Sequence, residues 1–516
     1  MKKLLLYSFL FLTSGGFVAF GQWPMNYVTS TVGGSTYDVA YHNGYLIAGC
    51  ANTLRVYALD GTNEKPETIL YEERLTSHID QLQINGDFLY VCANHAGLYK
   101  YDISDPENPV YVTHYQPADL NESVYDVAFY GDSLLVAAKT KVLVLEDAGS
   151  SINYLSTYAS YDEPGRVRGL DIKGNLLAYT VALTAFSLQD GVYLVDLETM
   201  TELDYFNDNS SDPLEVYFGE STELLHVMGG QLPFTVFHGR YYALDYSTTS
   251  DLNLVFQDTI FGNWLAGGSI ATPMSAFLLN DTIYISTQGG GPDGYTLPDP
   301  YTGQIYIYDG TDPGDIQYLN DVYAGLYHFD ADINPDSRKM YVASEWYGIL
   351  TVDVNDIYNE IDHGKTWTGG WCHGSAKKQD RLIEANEGYG VRLYDVSDLS
   401  NPTLIEVDTT VGFCRAVAMD DDANYAYCFY LTGDRFRVYD ANTLDLVSVS
   451  DIDPSVIFIG NFQNARYFND YVVVMEEVSS ANEKITLVNV SDPLSPVVEQ
   501  IRPVDDLNDV FWLSNG

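Results

Sequence analysis

The sequence predicts an all-β protein, a β-propeller of four-stranded antiparallel blades in about ten repeats. Three observations carry that reading. A phrase of alternating apolar residues ending in Asp returns along the chain, its copies are almost evenly spaced, and no helical pattern of useful length follows the leader.

The phrase is clearest in Gly97-Leu98-Tyr99-Lys100-Tyr101-Asp102-Ile103-Ser104-Asp105-Pro106-Glu107-Asn108-Pro109. It returns as Val391-Arg392-Leu393-Tyr394-Asp395-Val396-Ser397-Asp398 and as Ile485-Thr486-Leu487-Val488-Asn489-Val490-Ser491-Asp492-Pro493. Weaker copies end at Asp60, Glu146, Asp196, Asp245, Asp309, Asp353 and Asp440. Successive copies lie 42 to 50 residues apart, except for one interval of 64. A period of this size is that of a propeller blade.

Each unit resolves into four strands. In the second, Ile79–Ile84 alternates and Asn85-Gly86 supplies a tight hairpin turn. Phe88–Cys92 is too apolar to have a wet face, so it lies inside. Leu98–Ile103 is the third strand. Ser104-Asp105-Pro106 then turns the chain, because Pro fixes φ and Ser or Asp bonds the local backbone. Val110–His114 is a more polar fourth strand, suited to the outer edge.

These units resemble the LVIVD repeat of bacterial secreted proteins, whose hallmark is an apolar strand ending in Asp, then Val or Ile, Ser-Asp-Pro and a later Pro. The match is specific in three units, those of Asp102, Asp395 and Asn489. The resemblance implies a β-propeller and an extracellular address. Ten units fit one large ring, or a seven- or eight-bladed ring plus part of a second. The chain stops inside what reads as a further repeat, Asp506–Trp512, while Tyr27-Val28-Thr29-Ser30 resembles an orphan outer strand. Either the reading frame is truncated, or strands from both ends share a closing blade.

Residues 1–21 read as a signal peptide: Lys2 and Lys3, the apolar run Leu4–Leu12, and a cleavage site at Ala19-Phe20-Gly21. That run is too short to span a bilayer and no later run approaches 18 apolar residues, so membrane insertion is not expected. Residues 22–516 form the repeat region. The 72 Asp and Glu against 25 Lys and Arg give a formal charge of −47, spread along the chain. Such a surface repels nucleic acid and favours cations or basic partners.

Five cysteines in an exported chain leave at least one unpaired. Cys372 and Cys414 follow Trp371 and Phe413 at matching places in neighbouring repeats and are the candidate disulfide; Cys50 and Cys92 also match each other.

Three groups are candidate sites. Polar residues at the starts of first strands should line one mouth of the central channel: His78, Asp80, Asp126, Arg166, Arg168, His328, Asp330, His373 and Arg415. Convergent His, Asp and Arg there would hold a ligand or metal; merely wet channel residues are the plainer alternative. Trp346, Tyr347, Trp367 and Trp371 crowd into 26 residues, as an exposed binding patch or as packing between blades. Asp330, Asp332, Asn334 and Asp336 have the spacing that opens a calcium loop, although Pro335 stands where that loop needs Gly, and a plain hairpin turn explains them too. Ca2+ is the only cofactor these residues suggest. The Gly/Pro-rich insertion 288–303 lengthens the sixth repeat.

No catalytic residue is assigned: the chain has no G-x-S-x-G, H-E-x-x-H or P-loop, and its nine histidines are scattered. The expectation is an exported, non-enzymatic binding, adhesion or scaffold protein of the cell surface, recognising an extracellular protein or glycan through a propeller face. The alternative is a hydrolase or lyase acting on polysaccharide through the channel-mouth His, Asp and Arg.

Overall fold

The computed structural model describes residues 36–504 apart from 61–63, 118–121, 163–164, 183–189, 208–211, 231–238, 249–250, 261–271, 289–301, 327, 345–347, 359–360, 367–368, 370, 388–389, 399–401, 411–413, 431–435, 451–460 and 478–482. They form 40 strands in ten antiparallel four-stranded sheets, each sheet made of four strands consecutive in the chain. We number these blades 1 to 10 from residues 36–74, 81–115, 124–160, 166–206, 212–260, 272–326, 328–366, 371–408, 414–450 and 461–504. Tyr27–Ser30 and Asp506–Trp512, on which the truncated-frame and shared-closing-blade alternatives rest, lie outside the described residues. None of them forms a helix long and apolar enough to cross a membrane.

The Asp that ends most copies of the repeat phrase has a local cause. Its carboxylate accepts the backbone N–H two residues on, closing a turn as the chain leaves the third strand. Ser104 donates to Asp102 at 2.9 Å, Ser247 to Asp245 at 2.7 Å and Ser397 to Asp395 at 2.8 Å. Asn489 does the same for Ser491 at 3.0 Å, which explains its place in the series. Second strands are buried along nearly their whole length, as in Tyr45–Cys50 and Lys339–Ser344. Outer strands are largely exposed, as in Ile152–Ser160 and Thr403–Asp408, and in all ten blades the register slips where the fourth strand pairs with the third. Such bulges twist an edge away from further pairing.

Packing between blades decides how many belong to the ring. Each apolar cluster is shared by two neighbouring blades, and seven clusters form a cycle: 1 with 2, then onward to 6 with 7, and 7 with 1. In the closing cluster Val39, Leu46 and Ala48 of blade 1 meet Tyr341, Ala343 and Ile349 of blade 7. Two further clusters join blade 8 to 9 and 9 to 10. The structure is therefore a closed seven-bladed ring followed by a three-bladed arc.

The seam between blades 7 and 1 carries polar contacts as well. The Tyr41 N–H donates to Asp332 Oδ2 at 2.6 Å, and the rings of Tyr41 and Tyr341 stack at 6.3 Å. Glu64 Oε2 accepts from Asn334 Nδ2 at 2.9 Å and from Ser337 Oγ at 2.7 Å. The same carboxylate-to-amide contact recurs at other joints. Asp38 accepts from Leu82 N, Asp126 from Leu170 N at 2.7 Å, and Asp171 from Phe218 N at 2.6 Å.

The cysteines depart from expectation. All five are free thiols, and no Cys372–Cys414 bridge forms. Cys414 is buried and its thiol meets Cys428 of its own blade, whereas Cys372 is exposed and bonds the Gly374 carbonyl.

Replacing Asp332 by Ala leaves the Tyr41 and Ile333 amides without their acceptor. The expected cost is roughly 1–3 kcal/mol, with a smaller loss for Asp332→Asn, measured by denaturant unfolding of the mature chain.

Candidate functional site

The ring axis holds a chamber of about 280 Å³ near the starts of the inner strands. All seven blades contribute to it: Tyr37 and Asp38; His78, Asp80 and Gln81; Tyr125; Arg168; Glu215; Ser275; and Asp330. One rule of register generates four of these ten positions. Counting back four residues from the last pair of the first hairpin gives Asp38 in blade 1, Gln81 in blade 2, Ser275 in blade 6 and Asp330 in blade 7. Just before this position the first pairing slips in register, in blades 1, 6 and 7 among others. A bulge re-aims side chains in this way, and here it turns them toward the axis.

In blade 4 the position falls to Gly169. A Cβ there would lie 2.5 Å from Glu215 Oε2 and 2.8 Å from Glu215 Cα, so the missing side chain makes room for the Glu215 carboxylate. Arg168 instead carries the side chain that lines the chamber. Its guanidinium lies 4.4 Å from the centre of the Tyr125 ring, a cation–π contact. Its charge lowers the proton affinity of both Asp80 and Glu215.

Blades 5, 6, 7 and 1 carry a polar chain. Tyr217 OH lies 3.2 Å from Ser275 Oγ, which donates to Asp330 Oδ1 at 2.5 Å. Asp330 faces Asp38 across the seam. With both ionised neither can donate, and buried Asp38 Oδ1 has no partner; a proton on Asp38 supplies a hydrogen bond between them. Burial pushes the Asp38 carboxyl well above the usual carboxylate range, and the charge of Asp330 adds to this. Glu215 is raised likewise, by burial first and the charge of Asp126 second, with Arg168 opposing. Burial lifts Asp80 to about 7, and lowers His78, edge-on to Tyr37 at 3.9 Å, to about 4. His78 is thus neutral near pH 7 and adds no charge to the chamber.

Of the channel-mouth residues expected from the sequence, His78, Asp80, Arg168 and Asp330 line this chamber. Asp126 sits at the same register position in blade 3, but both its oxygens are taken by backbone amides, of Val127 and Leu170. Arg166 begins the inner strand of blade 4 without lining the chamber. His328 begins that of blade 7, and its side chain is outside the described residues. His373 and Arg415 belong to blades 8 and 9 of the arc, and the side chain of His373, like that of His328, is outside the described residues. Trp346, Tyr347 and Trp367, and the side chain of Trp371, lie outside the described residues, as does most of the 288–303 insertion.

The calcium-loop reading fails for a geometric reason. Asp330, Asp332 and Asn334 lie on an extended strand, His328–Asn334, which spreads them instead of wrapping them about one point. Asp330 faces the chamber, Asp332 bonds Tyr41, and Asn334 Oδ1 accepts from Asp336 N at 3.0 Å. No three His, Cys, Asp or Glu side chains among the described residues are placed to hold a metal.

No protein-family model and no curated protein matches this chain. Solved structures do. The β-propeller domain of Cps50 (Swd1) from Myceliophteria thermophila is 11% identical, with 63% of this chain covering 98% of that one at a TM-score of 0.46. The WD40 repeats of RRP9 are also 11% identical, covering 62% of this chain and 89% of theirs at 0.44. PorZ, described as an essential bacterial surface component of the type-IX secretion system of Porphyromonas gingivalis, is 11% identical at a TM-score of 0.50. That match covers 92% of this chain, which spans 60% of the PorZ chain. The fold is a β-propeller.

Two predictions follow from the interior of the propeller. Gly169→Ala should displace Glu215 and cost roughly 1–3 kcal/mol as an overpacking change, read from chemical unfolding. The second concerns pH. Asp80, Asp126 and Asp332 rise from 3.8 to about 7, and Asp171 to about 6, chiefly through burial. At these four groups the folded chain holds more protons than the unfolded one between those limits, so stability falls as pH rises through that window; His78 and His226, lowered to about 4, oppose this below 6.5 but are fewer. Turn carboxylates with lowered values, such as Asp102 and Asp395, act the other way, but only in more acid solution. The unfolding midpoint should be higher at pH 5 than at pH 8 at fixed ionic strength; calorimetry showing the reverse order contradicts these assignments.

Proposed function

We propose that this chain is an exported, non-enzymatic binding or scaffold protein of the bacterial cell surface that recognises a protein or glycan partner through a propeller face. The observation that carries a binding role is the chamber: seven blades place side chains on one polar cavity at one end of the ring. The hydrolase alternative relied on His328, Asp330 and His373 meeting, and His373 lies in the arc. The leader at residues 1–21 supports export, as does the resemblance of the units at Asp102, Asp395 and Asn489 to the LVIVD repeat. The likeness to PorZ supports the fold on which this role depends. A formal charge of −47 suits a basic or cationic partner better than an anionic one.

Protease treatment of intact cells, followed by N-terminal sequencing of the released chain, tests the address. The expected result is a mature chain beginning at Gln22 and digested while a cytoplasmic marker survives. A chain that keeps Met1 and stays protected overturns the proposal. Turnover of a polysaccharide panel by the purified mature chain would restore the enzyme reading.

A further inference from the structure

We propose that the ring-axis chamber is a binding site for a small organic cation, an alkylammonium or guanidinium group, seated against the Asp38–Asp330 pair. This inference needs only the folded ring and stands apart from where the protein resides.

The supply of acid groups is the first argument. Four carboxylates line the cavity, on Asp38, Asp80, Glu215 and Asp330, and the one lining arginine lies on the side of Asp80 and Glu215. Across the chamber Asp38 and Asp330 face each other at the seam. Asp38 is only 2% exposed, and its Oδ1 has no donor other than a proton shared with Asp330. A donor cation entering the chamber takes the place of that proton and lets both carboxylates ionise.

Size and wall chemistry choose the class of cation. A cavity of about 280 Å³ is far larger than one metal ion bonded at roughly 2.3–2.6 Å needs. No three acidic or imidazole groups among the described residues converge on a metal position either. A group that carries its charge on several N–H donors can instead reach separate carboxylates, and the aromatic wall suits its carbon frame. Arg168 is a resident example of the same chemistry: a guanidinium over Tyr125, near enough to Asp80 and Glu215 to alter their proton affinity.

Binding should also move protons. Asp38 is surrounded by Asp330 and Asp332 as charges and by the Leu82 amide as a donor, and it holds a proton in their company. A cation in its place drives that proton off.

The test is calorimetric titration of the mature chain with 1,5-diaminopentane, agmatine and an acetylated Gly-Lys-Gly amide, beside CaCl2 and glucose. Both free amines, or the lysyl peptide, are expected to bind with proton release, seen as a buffer-dependent heat. Asp330→Asn should weaken this at least tenfold while keeping an acceptor for Ser275. Its unfolding midpoint should be no lower than wild type, since a carboxylate repulsion is gone. Asp132→Asn, at an exposed turn, should change nothing and so controls for non-specific attraction to an acidic surface. Preference for the free amines marks a metabolite site, and preference for the peptide marks capture of a partner's lysine; either supports the chamber. Absence of amine binding, equal binding by Asp330→Asn, or binding of Ca2+ with exclusion of the amines overturns it.

Discussion

A carboxylate on the inner strand of one blade accepts a backbone amide from the inner strand of the next, and the ring depends on this contact. Seven strands converging on an axis bring backbone N–H groups together where water is scarce, and each must find an acceptor. Asp38, Asp126, Asp171 and Asp332 supply that acceptor at four of the seven joints. Apolar clusters between blades provide most of the burial but little direction. The carboxylates supply direction, because an amide bond to a fixed oxygen sets how far one blade may slide on its neighbour. Their cost appears as the raised proton affinity of Asp126, Asp171 and Asp332, in each of which burial outweighs two amide hydrogen bonds.

The fold was readable because its signals are local. The hairpin turns, the buried second strands and the turn-closing Asp of each repeat all act within a few residues. Ring size was not readable. Blades 7 and 8 share the repeat phrase as any neighbours do, and only contacts 270 or more residues apart, such as Glu64 with Asn334 and Tyr41 with Asp332, reveal that blade 7 closes on blade 1. That is also why His373 and Arg415 were grouped with residues of a ring to which they do not belong.

The chamber was half legible. His78, Asp80, Arg168 and Asp330 announce themselves as charged residues opening inner strands. Asp38, Gln81, Glu215 and Ser275 do not, because candidates were sought at the starts of first strands, whereas the common position of Asp38, Gln81 and Ser275 is fixed by counting back from the first hairpin. Gly169 was invisible for a different reason: its contribution is the space it leaves for Glu215. Asp332 and Asn334 show the opposite error, since a spacing that suits a calcium loop was placed on an extended strand, where the same residues point to different tasks.

Among the described residues the contacts at the seam between blades 7 and 1 are side-chain bonds and packing, and it is also where Asp38 and Asp330 meet. The acid pair therefore sits at the seam like a charge-sensitive keystone. When both groups are ionised their repulsion wedges the two blades apart, and a shared proton or a bound cation draws them together. Occupancy of the axis and mechanical strength of the ring are in this way a single variable, and a pull on the chain would be felt first at the chamber.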